Sequence, residues 1–222
     1  MGKVSSFLGN WVVKTSGVFL WLFGCRPKIY HEDKSVKGTK VKGKAIIMPN
    51  HHSVYDVGTM LFTFWRRTPR VLTAELMYKK NAFMSFFLHL IGAIRIERDS
   101  YDFSFLGKSR DVLNQGGVIE IYPEARIPLP EEETPLPFKP SVAYLGLMSD
   151  APIIPVCHNG KFFSKERTRV MIGKPIYAAD FYDEALSEKE NLNKISEILR
   201  QKIIELQYEL DRKTTAEKSK KA

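Results

Sequence analysis

Ala45-Ile46-Ile47-Met48-Pro49-Asn50-His51-His52-Ser53-Val54-Tyr55-Asp56 is the stretch on which the fold turns. Its apolar opening shows no polar alternation and stops at a proline, which reads as a buried strand. The strand ends in an imidazole pair, and four residues separate His51 from Asp56. With Ser53 capping a helix whose first turn carries Asp56, the carboxylate can turn back on the His51 ring. A carboxylate so placed fixes the imidazole tautomer and stabilises its cation. An imidazole ordinarily titrates at about 6.5, so one held by a partner can take a proton from an alcohol near neutral pH. The pair suits acyl transfer to a hydroxyl. The plainer reading is a histidine pair that caps a helix or pairs on the surface, and the rest of the chain decides between the two.

Three further blocks follow in order. They are Gly92-Ala93-Ile94-Arg95-Ile96-Glu97-Arg98, then Gly116-Gly117-Val118-Ile119-Glu120-Ile121-Tyr122-Pro123-Glu124-Ala125-Arg126, then Ala151-Pro152-Ile153-Ile154-Pro155-Val156. Together with Asn50-His51-x-x-x-x-Asp56 they resemble the four motifs of the glycerolipid acyltransferases typified by 1-acylglycerol-3-phosphate acyltransferase. The first ends in the His-to-Asp spacing, the second in an arginine, and the third in Phe-Pro-Glu-Gly-Thr-Arg. Four ordered blocks are far more specific than one. The chain departs from the third motif in having Arg126 two residues after Glu124 rather than three. The family often has lysine before Glu75-Leu76, where this chain has Thr73-Ala74; Lys79 or Lys80 would compensate.

The resemblance implies a single α/β domain, with a mixed central sheet flanked by helices as in glycerol-3-phosphate acyltransferases. It implies His51 as base and Asp56 as its orienting acid. Arg98, Glu124, Arg126 and Asn50 would bind the phosphorylated acceptor, because planar guanidinium forks match phosphate oxygens. The co-substrate would be acyl-CoA or an acyl carrier protein, with no cofactor and no metal. The acceptor would be a lysophospholipid at a membrane surface.

Composition agrees. The chain has 222 residues, with 34 basic against 25 acidic residues and a net charge of +9. That length suits one domain, and the charge favours an anionic partner such as lipid headgroups, an acidic carrier protein or nucleic acid. No base-stacking signature accompanies the charge, so nucleic acid is set aside. Cys25 and Cys157 form no Cys-x-x-Cys and no histidine cluster stands at metal spacing, so neither a disulfide framework nor a zinc site is indicated, and a reducing compartment fits.

Residues 4–25 carry Phe7, Leu8, Trp11, Val12, Phe19, Trp21 and Leu22 at helical spacing, interrupted by Lys14. The apolar run is too short to span a bilayer, so residues 1–25 are expected to lie in the membrane interface, at the cytoplasmic face of the cell membrane. The alternative is a helix packed on the chain's own core. Residues 26–44 read as a hairpin or edge segment and 26–211 as the acyltransferase domain. Residues 78–91 form an apolar helix in which Phe83, Phe86 and Phe87 would line an acyl-chain slot. The proline-rich stretch 127–137 reads as a loop. His158 lies just past a strand, with no orienting acid nearby in sequence. An amphipathic helix runs through Ile195, Leu199, Ile203, Leu206 and Leu210, and the charged tail 212–222 reads as disordered.

Two rival functions follow from the same residues. In one, His51-His52-Ser53-Val54-Tyr55-Asp56 belongs to the His-His-x-x-x-Asp-Gly pattern of chloramphenicol acetyltransferases and condensation domains, with the second histidine as base; Val57 breaks that match before Gly58. In the other, the chain binds lipid without catalysis.

Overall fold

The computed structural model describes residues 11, 12, 15, 27–33, 40–97, 103–161 and 166–220. The expected interfacial helix falls outside the described residues apart from Trp11, Val12 and Thr15, and Arg98 also lies outside them.

All five residues of β2 (Ala45–Pro49) are buried. The strand sits at the centre of a seven-stranded sheet among the described residues. On one side β2 pairs in parallel with β5 (Val118–Glu120), and β3 (Arg70–Ala74) and β4 (Ile94–Ile96) follow, also parallel. On the other side it pairs in parallel with β6 (Ile153–His158), to which β7 (Arg169–Ile172) is antiparallel. The edge strand β1 (Lys28–His31) runs parallel to β7. The sheet is therefore mixed, and within 26–44 the described residues Lys28–His31 form an edge strand.

Successive strand residues face opposite sides, so both faces need covering. The helices that do so are α1 (Asp56–Thr63), α2 (Glu75–Lys80), α3 (Ala82–Leu90), α4 (Ser104–Asn114), α5 (Ser141–Ser149) and α6 (Glu188–Ser219). Ile46, Met48, Ile119 and Ile153 pack with Leu113 of α4, Leu145 of α5, and Ile195, Leu199 and Ile203 of α6. Ala45, Ile47 and Val118 pack with Met60 of α1 and with Phe64 just beyond it. Each such buried aliphatic side chain contributes roughly 1.5–3 kcal/mol. Gly146 lets α5 approach closely, since a Cβ there would lie 2.9 Å from Ile153.

Two expectations are corrected. The apolar stretch over 78–91 is two helices, because Asn81 is extended (φ −164°, ψ 163°) and its side chain accepts from Met84 N at 2.7 Å to cap α3. Asparagine competes well for that role. The tail expected to be disordered is helical through Ser219. A Ser187–Glu190 capping box starts α6, and its last turns are tied down where Lys213 Nζ donates to His31 O at 2.9 Å and Lys218 meets Glu166 at 2.9 Å. Lys28 pairs with Glu217. Exposed pairs of this kind add little singly, but here several act on one helix end and one edge strand.

Removing residues 212–222 is expected to speed amide exchange in β1 while leaving β2 protected, as read by hydrogen-exchange mass spectrometry. Unchanged protection in β1 would show that the end of α6 does not hold the edge strand.

Candidate active site

Because β6, β2 and β5 are parallel neighbours, their C-terminal ends open on one edge of the sheet, where ligands of α/β proteins usually bind. His51 follows β2, Tyr122 and Glu124 follow β5, and His158 closes β6.

Asp56, fully buried at the start of α1, gathers the turn around itself. Its Oδ2 accepts from His51 Nδ1 at 2.7 Å, His52 N at 2.6 Å and Ser53 N at 2.8 Å, and Oδ1 accepts from Ser53 Oγ at 3.1 Å. Burial pushes the carboxyl up, but the His51 hydrogen bond, the neighbouring His158 ring and the N–H groups of Ser53 and His52 together outweigh it and hold the group below its ordinary value. Ser53 is not the helix cap expected from sequence. Its hydroxyl accepts from Tyr55 N and donates to Asp56, and the helix begins only at Asp56.

The His51 side chain is 17% exposed. With Nδ1 held by Asp56, its Nε2 has no hydrogen-bond partner among the described residues. Its ring lies on that of Tyr122, with centroids 4.4 Å apart and planes at 32°.

Asn50 and His52 face inward. The Asn50 amide extends the β2–β6 ladder: Oδ1 accepts from His158 N at 2.9 Å and Nδ2 donates to His158 O at 3.0 Å. The expected acceptor-binding residue Asn50 is thus a buried backbone tie. His52 Nε2 lies 2.9 Å from both His158 O and Asn50 Nδ2, so it donates to the carbonyl in one tautomer and accepts from the amide in the other. Gly160 (φ +63°) makes room for this ring, since a Cβ there would lie 2.8 Å from it.

His158 does have an acid nearby, although the sequence shows none: Asp56 Oδ1 is 3.7 Å from its Nε2. Nδ1 accepts from Gly160 N, so the proton sits on Nε2, facing Asn50 O. Burial, partly opposed by Asp56, lowers this imidazole to about 4, and the ring is neutral and structural.

Glu124 is equally occupied. Oε1 accepts from His51 N and Oε2 from Leu136 N, both at 2.9 Å, and burial raises the carboxyl despite these bonds. It joins the histidine turn to the proline-rich loop. Arg126 is exposed and clasps Glu132 with both terminal nitrogens, holding that carboxyl at about 2. Between them Ala125 adopts φ 62°, a left-handed conformation at the position where the family motif has glycine.

The expected acyl-chain slot is not closed around its three phenylalanines. Phe83 is 77% and Phe86 64% exposed on the outer side of α3. Phe87 alone of the three packs inward, with Leu88, Ile91 and Val71. Cys157 is buried and its thiol is pushed up by burial, so no thiolate is offered there. Among the described residues no group of three or more His, Cys, Asp or Glu side chains could hold a metal ion.

Glu120 was not singled out in the sequence, although an acid inside Val118-Ile119-Glu120-Ile121 is the signal. It is fully buried in β5, accepts from Tyr122 Oη at 2.6 Å and leaves Oε2 without a partner. Burial pushes its carboxyl up to about 8, and nearby Asp56 adds to the rise.

A histidine–carboxylate pair at the end of a central parallel strand places the chain among α/β enzymes with a strand-end site. A family model described as Acyltransferase matches residues 26–159, and the chain belongs to that family. It is 28% identical over 137 residues to a 1-acyl-sn-glycerol-3-phosphate acyltransferase of Bacillus subtilis (strain 168), covering 60% of this chain and 66% of that protein, just under two thirds. The crystal structure of the 1-acyl-sn-glycerophosphate (LPA) acyltransferase PlsC of Thermotoga maritima has the same fold, with a TM-score of 0.62 at 18% identity over 89% of this chain and 79% of that one.

Folding raises the Glu120 carboxyl from 4.5 to about 8. The folded state therefore keeps a proton that the unfolded chain releases. Its contribution is most favourable below pH 4.5 and is lost as pH rises to 8, a span on the order of 5 kcal/mol. Glu120→Gln should gain stability over the parent between pH 5 and 8.5 in urea titrations. A gap that stays constant with pH would refute the buried proton.

Proposed function

We propose that this enzyme moves a fatty acyl group from an acyl thioester to the free hydroxyl of a lysophospholipid, with 1-acylglycerol-3-phosphate as acceptor and phosphatidic acid as product. The observation that carries this reading is the His51–Asp56 pair, with Nδ1 bonded to a buried carboxylate and Nε2 without a hydrogen-bond partner among the described residues. His51 Nε2 takes the hydroxyl proton as the acceptor oxygen attacks the thioester carbonyl carbon. The new C–O bond forms, the tetrahedral oxyanion collapses with loss of the C–S bond, and the proton passes from Nε2 to the departing thiolate. Asp56 stays ionised and balances the imidazolium. No acyl-enzyme is formed, and coenzyme A or an acyl carrier protein leaves as the free thiol.

In this reading Arg98 clamps the acceptor phosphate. Glu124 supports the site through the backbone of His51 instead of touching the acceptor. The inward-turned His52 argues against the second-histidine pattern, because its Nε2 faces the His158 carbonyl and is not available to a substrate.

The chain works at the surface of an anionic membrane on the cytoplasmic side. No helix among the described residues is long and apolar enough to cross a bilayer. The exposed Phe83 and Phe86, one turn apart on α3, together with the exposed Leu76, Lys79 and Lys80 of the preceding helix, supply apolar and basic side chains suited to lipid headgroups.

His51→Ala should lower thiol release from acyl thioester and lysophosphatidic acid by about 10³-fold or more while leaving the melting temperature near that of the parent. Substrate binding with no thiol release by the parent protein, across acceptors and both donor types, would instead mark a lipid-binding module. Phe83→Asp with Phe86→Asp should weaken co-sedimentation with anionic vesicles without changing the fold. Undiminished sedimentation would remove this face from the membrane contact.

A further inference from the structure

We infer that Tyr122 is a positioning residue for the His51 imidazole, and that Glu120 anchors Tyr122 in that role. The inference rests on the reading of His51 as the base.

Among the described residues the His51 ring is held by a hydrogen bond at one nitrogen, from Nδ1 to Asp56. A single hydrogen bond fixes a distance and leaves the ring free to tilt about it, which would move Nε2 relative to an attacking hydroxyl. A flat neighbour removes that freedom. The Tyr122 ring lies 4.4 Å from the imidazole by centroids, at 32° between planes, close enough to act as a shelf.

A tyrosine just past a strand end could itself turn away, and here it is pinned at its far end. Its hydroxyl donates to Glu120 Oε1 at 2.6 Å. Glu120 lies two residues earlier on β5, on the same side of the strand. Its ladder partners are Ile47 and Val71, so the acid has an apolar setting. Burying a carboxyl there, with Oε2 left without a partner, is a local penalty that packing alone would remove. An apolar residue at 120 would fill the same place in the sheet and would leave the tyrosine untethered. The acyltransferase motif has phenylalanine where this chain has Tyr122, so the hydroxyl and the acid that receives it form a pair beyond that motif.

Tyr122→Leu removes the flat face and should lower kcat by about 10²-fold with KM unchanged, the signature of a misplaced reacting group. Tyr122→Phe keeps the face without the tether and should recover most of that loss, and Glu120→Leu should match Tyr122→Phe. The low-field Nδ1–H proton resonance of His51, assigned by its loss in Asp56→Asn, gives a readout that needs no turnover. It should shift or broaden in Tyr122→Leu and return in Tyr122→Phe. If the leucine variant does not fold, Tyr122→Met supplies similar bulk without a flat face. A wild-type kcat with an unmoved resonance in Tyr122→Leu or Tyr122→Met overturns the positioning role, and wild-type behaviour of Glu120→Leu removes Glu120 from it. A resonance that responds in a protein lacking all acyl transfer would sink the proposed function, and the catalytic part of this inference with it, and leave only the placement of the His51 ring by Tyr122.

Discussion

The site depends on one buried charge. Asp56 has no access to solvent, and an isolated carboxylate in that position would be costly enough to take up a proton. It stays ionised because the two backbone N–H groups after His51, a serine hydroxyl and the His51 ring all converge on it. The same bonds wrap the chain into the turn between β2 and α1. The geometry of the histidine and the solvation of the acid are therefore one problem with one solution.

The sheet supplies the frame for that solution. Three parallel strands end side by side, and each delivers a different kind of part: an imidazole from β2, a tyrosine and a carboxylate from β5, and a neutral histidine from β6. Polar groups that look like ligands in isolation turn out to bind one another. Asn50 completes a backbone ladder, and His158 fills a polar space next to the acid.

Much of this was legible in the sequence, and the gaps have physical causes. An unbroken apolar tetrad ending in Pro-Asn-His-His could only be a buried strand, and four residues are enough for a carboxylate to return to a ring. The spacing could not reveal whether Ser53 or Asp56 would take the turn's N–H groups, because both side chains compete for them. Apolar periodicity showed that residues 83–91 lack a polar face without saying which face would be covered, and Phe83 and Phe86 are on the uncovered one. Composition assigned residues 212–222 to disorder, since it cannot register the anchors that Lys213, Glu217 and Lys218 find far away in sequence. Glu120 was overlooked because its burial follows from register, and a lone acid among isoleucines gives no sign of a tyrosine two residues on.

Glu124 joins segments that would otherwise be independent. One of its oxygens holds the peptide of His51 and the other holds Leu136, while Arg126 and Glu132 tie the same proline-rich loop from its outer side. A displacement of that loop would therefore act through the Glu124 carboxyl on the backbone beneath the imidazole. Loop and histidine turn thus share one buried anchor, so the placement of the rim and that of the imidazole backbone are set together.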